Sequence, residues 1–247
     1  MIAWTIEYAL KCDIFDEVVV STDDEEIAKT AIEYGAIVPF LRQNSYDDFT
    51  PVSEATLHTI NQLESIGKYY DIVIQLFPVC PLRNHDDIID AYNFFSKNKS
   101  DFQISCFKYV WMNPWWAVKL DSNAKPESIF KNFKQTRSQD LPSLFCPTGA
   151  IWIAKINALK EFEQSCERIF YYASMADKFE GNIHNPPMRG LTLAVKEPIG
   201  IIASLMCEYK PLLSLTTTIS SLFANGNASL IVPSENASLI ATSLYQV

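Results

Sequence analysis

Glycine is in shortest supply in this chain: seven in 247 residues, less than half the share of roughly 7% found in ordinary soluble proteins. They stand far apart in the sequence, so these residues contain no Walker loop, no GxGxxG turn and no other glycine-rich phosphate cradle. Long apolar runs are lacking too; the best, "IGIIASLM", falls far short of the roughly 20 residues that cross a bilayer. The N-terminus has no basic leader and carries Glu7 inside its apolar stretch, which excludes a secretory signal there. Positive charge is scarce: the formal net charge of -9 and pI near 4.9 argue against a nucleic-acid footprint or an anchor on acidic membranes. The six cysteines (Cys12, Cys80, Cys106, Cys146, Cys166, Cys207) form no CxxC, and His58, His85 and His184 stand alone, so no metal-ligand spacing exists. Reduced thiols in a cytoplasmic protein are the expectation.

What is present alternates. In "MIAWTIEYALKC", Ile2, Ile6, Ala9 and Leu10 recur at helical spacing with Glu7 and Lys11 turned away, which predicts a helix laid against a sheet. Helices are predicted over 2–11, 24–34, 53–66 and 85–97, strands over 16–21, 71–77 and 102–108, and a short extended piece over 37–40. "WWAVKL" and "TGAIWIAK" read as further strands, with a loop or arm at 121–147 between them. Strands alternating with helices predict βαβ units around a parallel sheet, yet the chain opens on a helix where a strand is expected first. After about Glu163 charged residues thin out. A second unit is predicted there, with helices at 165–177, 212–224 and 238–247 and extended segments "LTLAV", "GIIASL" and "ASLIV". The expected domains are 1–162 and 165–247, the second ending inside a helix.

Three stretches suggest chemistry, each with a plainer alternative. "VVVSTDDEEIA" puts Asp23, Asp24, Glu25 and Glu26 at a strand's carboxyl end, where doubly wound sheets bind ligands. The same residues suit a helix start, with Thr22 or Asp23 as N-cap and acids favoured by the helix dipole, and both roles can coexist. "IQLFPVCPLR" is either a ligand-facing turn with Arg83 for an anion or simply a strand stop; Cys80 has no histidine to activate it and reads as a small buried residue. Tyr109, Trp111, Trp115 and Trp116 fit a core or subunit interface better than a stacking platform, because no basic groove accompanies them.

"MIAWTIEYALKCDIFDEVVVSTDDEEIAKTAIEYGAIVPFLR", "DDFTPVSEATLHTI", "PVCPLRNHDDI", "RSQDLPSLF" and "TGAIWIAK" together resemble, in order over residues 1–160, the CMP-sialic acid synthetases, or acylneuraminate cytidylyltransferases. The resemblance implies an α/β, Rossmann-like nucleotidyltransferase three-layer fold lacking its first strand, and usually a homodimer. It implies a reaction in which a nonulosonic acid attacks the α-phosphate of CTP with Mg2+ and releases pyrophosphate. In that family the first strand and its glycine-rich loop precede the segment matching Met1, and metal-binding paired aspartates follow the region matching "TGAIWIAK". This chain contains no Asp-x-Asp. Phosphoryl transfer depends on positioning and charge neutralisation, so turnover by this polypeptide is expected to be absent. The expected substrate-binding residues are Asp23, Thr50, Arg83, Arg137, Gln139 and Asp140, with Phe77 where the family often has glutamine.

"FYYASMADKFEGNIHNPPMRGLTLAVKEPIGII" and "PLLSLTTTISSLFANGNASLIVPSE" resemble an early portion of the aldehyde dehydrogenase superfamily over 168–247. The second unit is accordingly expected to be a partial α/β, NAD-domain-like unit, with Ser234 and Glu235 at the turn near the adenine ribose. Val232 stands where many members have Lys, and Tyr209 where many have the oxyanion-hole Asn. The expectation is thus a cytidylyltransferase-like chain, with an NAD-dependent oxidoreductase fragment or a non-enzymatic fusion product as alternatives.

Overall fold

The computed structural model describes residues 1–42, 51–178, 181–184 and 192–235, and it divides into two compact units, Met1–Lys155 and Ile156–Val247. Unit 1 begins with α1 (Ile2–Lys11) and continues through α2 (Glu25–Glu33), α3 (Val52–Ser65), β1 (Ile72–Leu76), α4 (His85–Asn98) and β2 (Phe102–Lys108). An arm follows, with the hairpin β3 (Val118–Leu120) and β4 (Pro126–Ser128), and the unit closes on β5 (Phe145–Lys155). The helix boundaries lie within a residue of those the periodicity predicts, and α4 is fixed by a reciprocal capping box between Asn84 and Asp87.

The sheet departs from expectation. Its order is β1-β5-β2, with β5 antiparallel to both neighbours. The strands β1 and β2 do run the same way, as a βαβ unit requires, but the arm turns the chain so that β5 enters between them from the opposite end. One face of this sheet packs Ile74, Leu76, Ile151 and Ile153 against Ile88 and Phe95 of α4 and Tyr8 and Cys12 at α1. On the other face Thr56 of α3 donates to Gln75 Oε1 at 3.2 Å, so α3 lies beside β1 there, while Phe102 and Ile104 of β2 are exposed on that face. Residues 16–21 do not form a full strand. Among the described residues, Val19 bridges Ile37 in parallel and, just past the segment, Thr22 bridges Leu41, around a smaller core of Ile6, Ala31 and Ala36.

Two polar ties hold loops to this frame. Arg83, 6% exposed, donates through Nη1 to the Ala150 carbonyl of β5 and through Nη2 to Thr5 Oγ1 of α1 at 3.0 Å. Burial lowers its pKa, with Cys80 and Asp87 opposing that shift in part. Glu17 receives Lys68 Nζ on one carboxylate oxygen and the Tyr70 hydroxyl, at 2.6 Å, on the other.

Unit 2 starts with α5 (Ile156–Met175), one unbroken helix that starts earlier than the predicted 165 and runs through the stretch where a join is expected. It continues with β6 (Asn182–His184) paired antiparallel to β7 (Thr192–Ala194), then β8 (Ile201–Leu205), α6 (Pro211–Ala224) and β9 (Ala228–Val232). β8 and β9 pair in parallel across α6. Lys210 precedes α6 without a side-chain cap; instead Glu161 of α5 accepts from the Leu212 and Leu213 amides at 2.8 and 3.2 Å. Asn227 Oδ1 likewise ties the Ile199 and Gly200 amides to the entry of β9. The predicted helix at 238–247 lies outside the described residues.

Two outcomes follow from these ties. Arg83→Met leaves the Ala150 carbonyl and Thr5 hydroxyl without their donor, and should lower unfolding free energy by about 2–4 kcal/mol in urea titration. Arg83→Lys should recover only part, since one ammonium cannot serve both acceptors at fork geometry. At Glu17 the shifts have opposite signs. Burial, and then the bond to Glu17, pushes the Tyr70 hydroxyl up to about 12, so its stabilisation is complete below its unfolded value and is lost as pH rises through 12. The bonds from Lys68 and Tyr70 lower Glu17, so its contribution holds above its ordinary 4.5 and is lost as pH falls. In Tyr70→Phe the alkaline loss from this group should vanish from the stability–pH curve while the acid loss persists in weakened form.

Candidate functional site

The sequence-predicted residues of unit 1 fall in three places. Asp23 follows the bridged segment and pairs through Oδ1 with Arg42 Nη2 at 3.4 Å. The neighbouring acid, Asp24, is the N-cap of α2, accepting from the Glu26 and Ile27 amides at 2.7 and 2.9 Å. This corrects the choice of Thr22 or Asp23 as cap. Thr22 instead is buried and accepts from the Asp24 amide at 3.1 Å. The division of labour has a physical basis: one carboxylate serves the helix start, and the one before it points to a guanidinium at the same end of two parallel extended segments.

Arg83 is inside the fold. Its two terminal nitrogens serve Ala150 and Thr5, and its Nε has no hydrogen-bond partner. The turn before it is closed by the Arg83 amide donating to the Cys80 carbonyl at 3.2 Å. Cys80 is half-buried. Phe77, in the position where glutamine is often seen, packs its ring edge-on against Trp152 at 5.9 Å and lies over Gly149. Gly149 has φ +67°, a conformation that side chains rarely adopt. An aromatic wall therefore occupies the end of β1.

In the arm, Arg137, Gln139 and Asp140 share one short 3-10 turn. Arg137 Nε donates to Asp140 Oδ2 at 2.8 Å, and both side chains are exposed. Ser138 donates to Gln139 Oε1 at 3.2 Å. Trp115 anchors the arm, with its ring against Phe133 and Phe130 at 4.4 and 5.0 Å and its Nε1 donating to the Pro142 carbonyl. This agrees with the packing role expected for Trp115. Trp111, by contrast, is 77% exposed. Sequence reasoning missed an open cleft of about 220 Å³ beside the hairpin, lined by Trp116, Val118, Pro126, Ser128 and Lys134. The alternation in "WWAVKL" was the available signal, since it places Trp116 and Val118 two apart at the start of a strand. Thr50 lies outside the described residues.

Among the described residues, no three of His, Cys, Asp and Glu come together as metal ligands. In unit 2, Ser234 and Glu235 follow β9; the Ser234 hydroxyl is buried without a hydrogen-bond partner, whereas Glu235 is exposed.

Comparison with known proteins also divides the chain in two. Residues 1–141 match the cytidylyltransferase family, and residues 145–247 match the aldehyde dehydrogenase family, so the second match starts on β5, within unit 1. A pseudaminic acid cytidylyltransferase of Campylobacter jejuni subsp. jejuni is 35% identical over 164 residues, covering 65% of this chain and 69% of that protein. A CMP-N,N'-diacetyllegionaminic acid synthase of Legionella pneumophila is 30% identical over 169 residues, with 65% and 69% covered. An N-acylneuraminate cytidylyltransferase A of Danio rerio is 26% identical over 164 residues, covering 65% of this chain and 36% of its own length. By its larger part, the α/β unit with its strand-end acids and its arm, the chain belongs to the cytidylyltransferase family.

Proposed function

We propose that unit 1 is the sugar-acid-facing part of a CMP-nonulosonate synthetase, the enzyme class that joins CTP to a nonulosonic acid with release of pyrophosphate. The observation that carries this reading is the similarity to proteins named for pseudaminic, legionaminic and acylneuraminic acids. Asp23, Thr50, Arg83, Arg137, Gln139 and Asp140 are the residues assigned to the substrate. Their roles differ. Arg137 is exposed on a short turn, and its guanidinium can exchange Asp140 for the carboxylate of a sugar acid. Asp23 beside Arg42 offers an acceptor to a hydroxyl. Arg83 acts on the turn from beneath, holding 78–83 against β5, as a positioning residue.

The nucleotide side is not supplied by these residues. The 247 residues hold no glycine-rich loop to cradle a triphosphate. The polypeptide is a sugar-acid binder that does not complete the transfer by itself. The exposed run Val110, Trp111 and Met112 is the surface through which unit 1 would join another synthetase subunit or a second copy of itself.

Calorimetric titration with pseudaminic acid and with N-acetylneuraminic acid tests this. One site per chain is expected, weakened about tenfold or more by Arg137→Ala, the loss of one charge-assisted hydrogen bond. With CTP and Mg2+ added, no pyrophosphate should appear. Absence of binding to either acid would overturn the substrate assignment, and magnesium-dependent pyrophosphate release would overturn the predicted inactivity.

A further inference from the structure

The central strand of unit 1 is interrupted where it reaches the candidate site. Along the ladder between β2 and β5, Ile104 stands opposite Trp152 and Cys106 opposite Pro147. Ser105 on β2 therefore faces Thr148, Gly149, Ala150 and Ile151 together, a bulge of one residue against four. On its other edge β5 leaves its ladder at the same level, because Leu76 with Ile151 is the last pair to β1. Amides inside a bulge lose their regular ladder partners and need others.

Two hydroxyls supply them. Ser105 Oγ accepts from the Ile151 amide at 3.0 Å, and Thr148 Oγ1 accepts from the Ala150 amide at 3.3 Å. Thr148 in turn donates to the Ser105 carbonyl at 3.2 Å, which commits its single proton. At the 2.7 Å contact between the two hydroxyls, Ser105 is then the donor. One arrangement of protons satisfies all four bonds, so both hydroxyls are fully committed to the bulge.

The bulge carries the floor of the 78–83 turn. Its Ala150 carbonyl receives Arg83 Nη1. Its Gly149, at φ +67°, lies under the Phe77 ring, where an added Cβ would come within 3.6 Å of Phe77 Cδ2. Altering the path of 148–151 thus moves the acceptor that holds Arg83 and the backbone that supports Phe77.

We propose that Ser105 and Thr148 are positioning residues of the sugar-acid site, whose hydroxyl clasp sets the bulge of β5 and, through it, the place of Phe77 and the Arg83 turn. This rests on the reading of unit 1 as a sugar-acid binder, and neither hydroxyl is among the residues assigned to the substrate.

Calorimetric titration of the full chain with pseudaminic acid and with N-acetylneuraminic acid tests this, with urea unfolding of each variant alongside. Thr148→Val keeps the side chain's shape and removes its hydroxyl; it should weaken binding about fivefold to tenfold, and Thr148→Ser should restore it to within about twofold. Tyr70→Phe, which loses its bond to Glu17 at the other end of β1, should lower stability without changing affinity. Wild-type affinity in Thr148→Val overturns the inference and leaves the sugar-acid reading standing. Equal weakening in Thr148→Ser also overturns it, because the hydroxyl is then not the cause. Equal weakening in Tyr70→Phe does the same, because lost stability alone then suffices. No binding by the wild-type chain removes the sugar-acid reading and this inference with it. Should Thr148→Val fail to fold, Ser105→Ala, which takes the acceptor from the Ile151 amide, replaces it under the same expectations, with Ser105→Thr as its rescue.

Discussion

The antiparallel entry of β5 between β1 and β2 is the contact on which unit 1 depends. Neither outer strand touches the other, so every ladder bond of the central sheet involves β5. Its Ile151 and Ile153 are buried against α4, and its Ala150 carbonyl receives Arg83. Through Arg83 the same strand fixes α1, by way of Thr5, and the turn that leaves β1. A buried guanidinium with two neutral acceptors is a costly device in isolation. It persists here because it closes three elements at one point.

This arrangement explains how the candidate site is divided. The acids at 23–24 lie on a small bridged layer beside α2, the 78–83 turn is held from within, and the 137–140 turn belongs to the arm that delivers β5. The arm is therefore both the route of the central strand and the carrier of the most exposed candidate side chains. Trp115, wedged between Phe130 and Phe133, joins those two tasks by making the arm a small packed body of its own.

Helices were the most legible part of the sequence. The periodicity of "IAWTIEYALK" locates its element to a residue, because amphipathic stripes are local signals. Strand direction was not legible: an apolar run such as "GAIWIAK" carries no sign of which way it lies beside its neighbours. The segment "VVVST" shows the opposite failure, since β-branched residues promise a strand whereas pairing on one side gives only two bridges. At the site, residue types were readable but their partners were not. Only the fold reveals that Arg83 faces a carbonyl and a hydroxyl, or that Asp24 and not Asp23 is the cap.

The position of β5 also bears on how such a chain can be exchanged as modules. The border between the two family matches falls just before this strand, whereas the compact units separate just after it. A recombination point at that border would cut the sheet of unit 1 through its middle, removing the shared partner of both remaining strands. The family matches and the compact units therefore divide the chain in different places, and whatever segment follows residue 141 must bring a strand able to pair on both edges before the first unit can close.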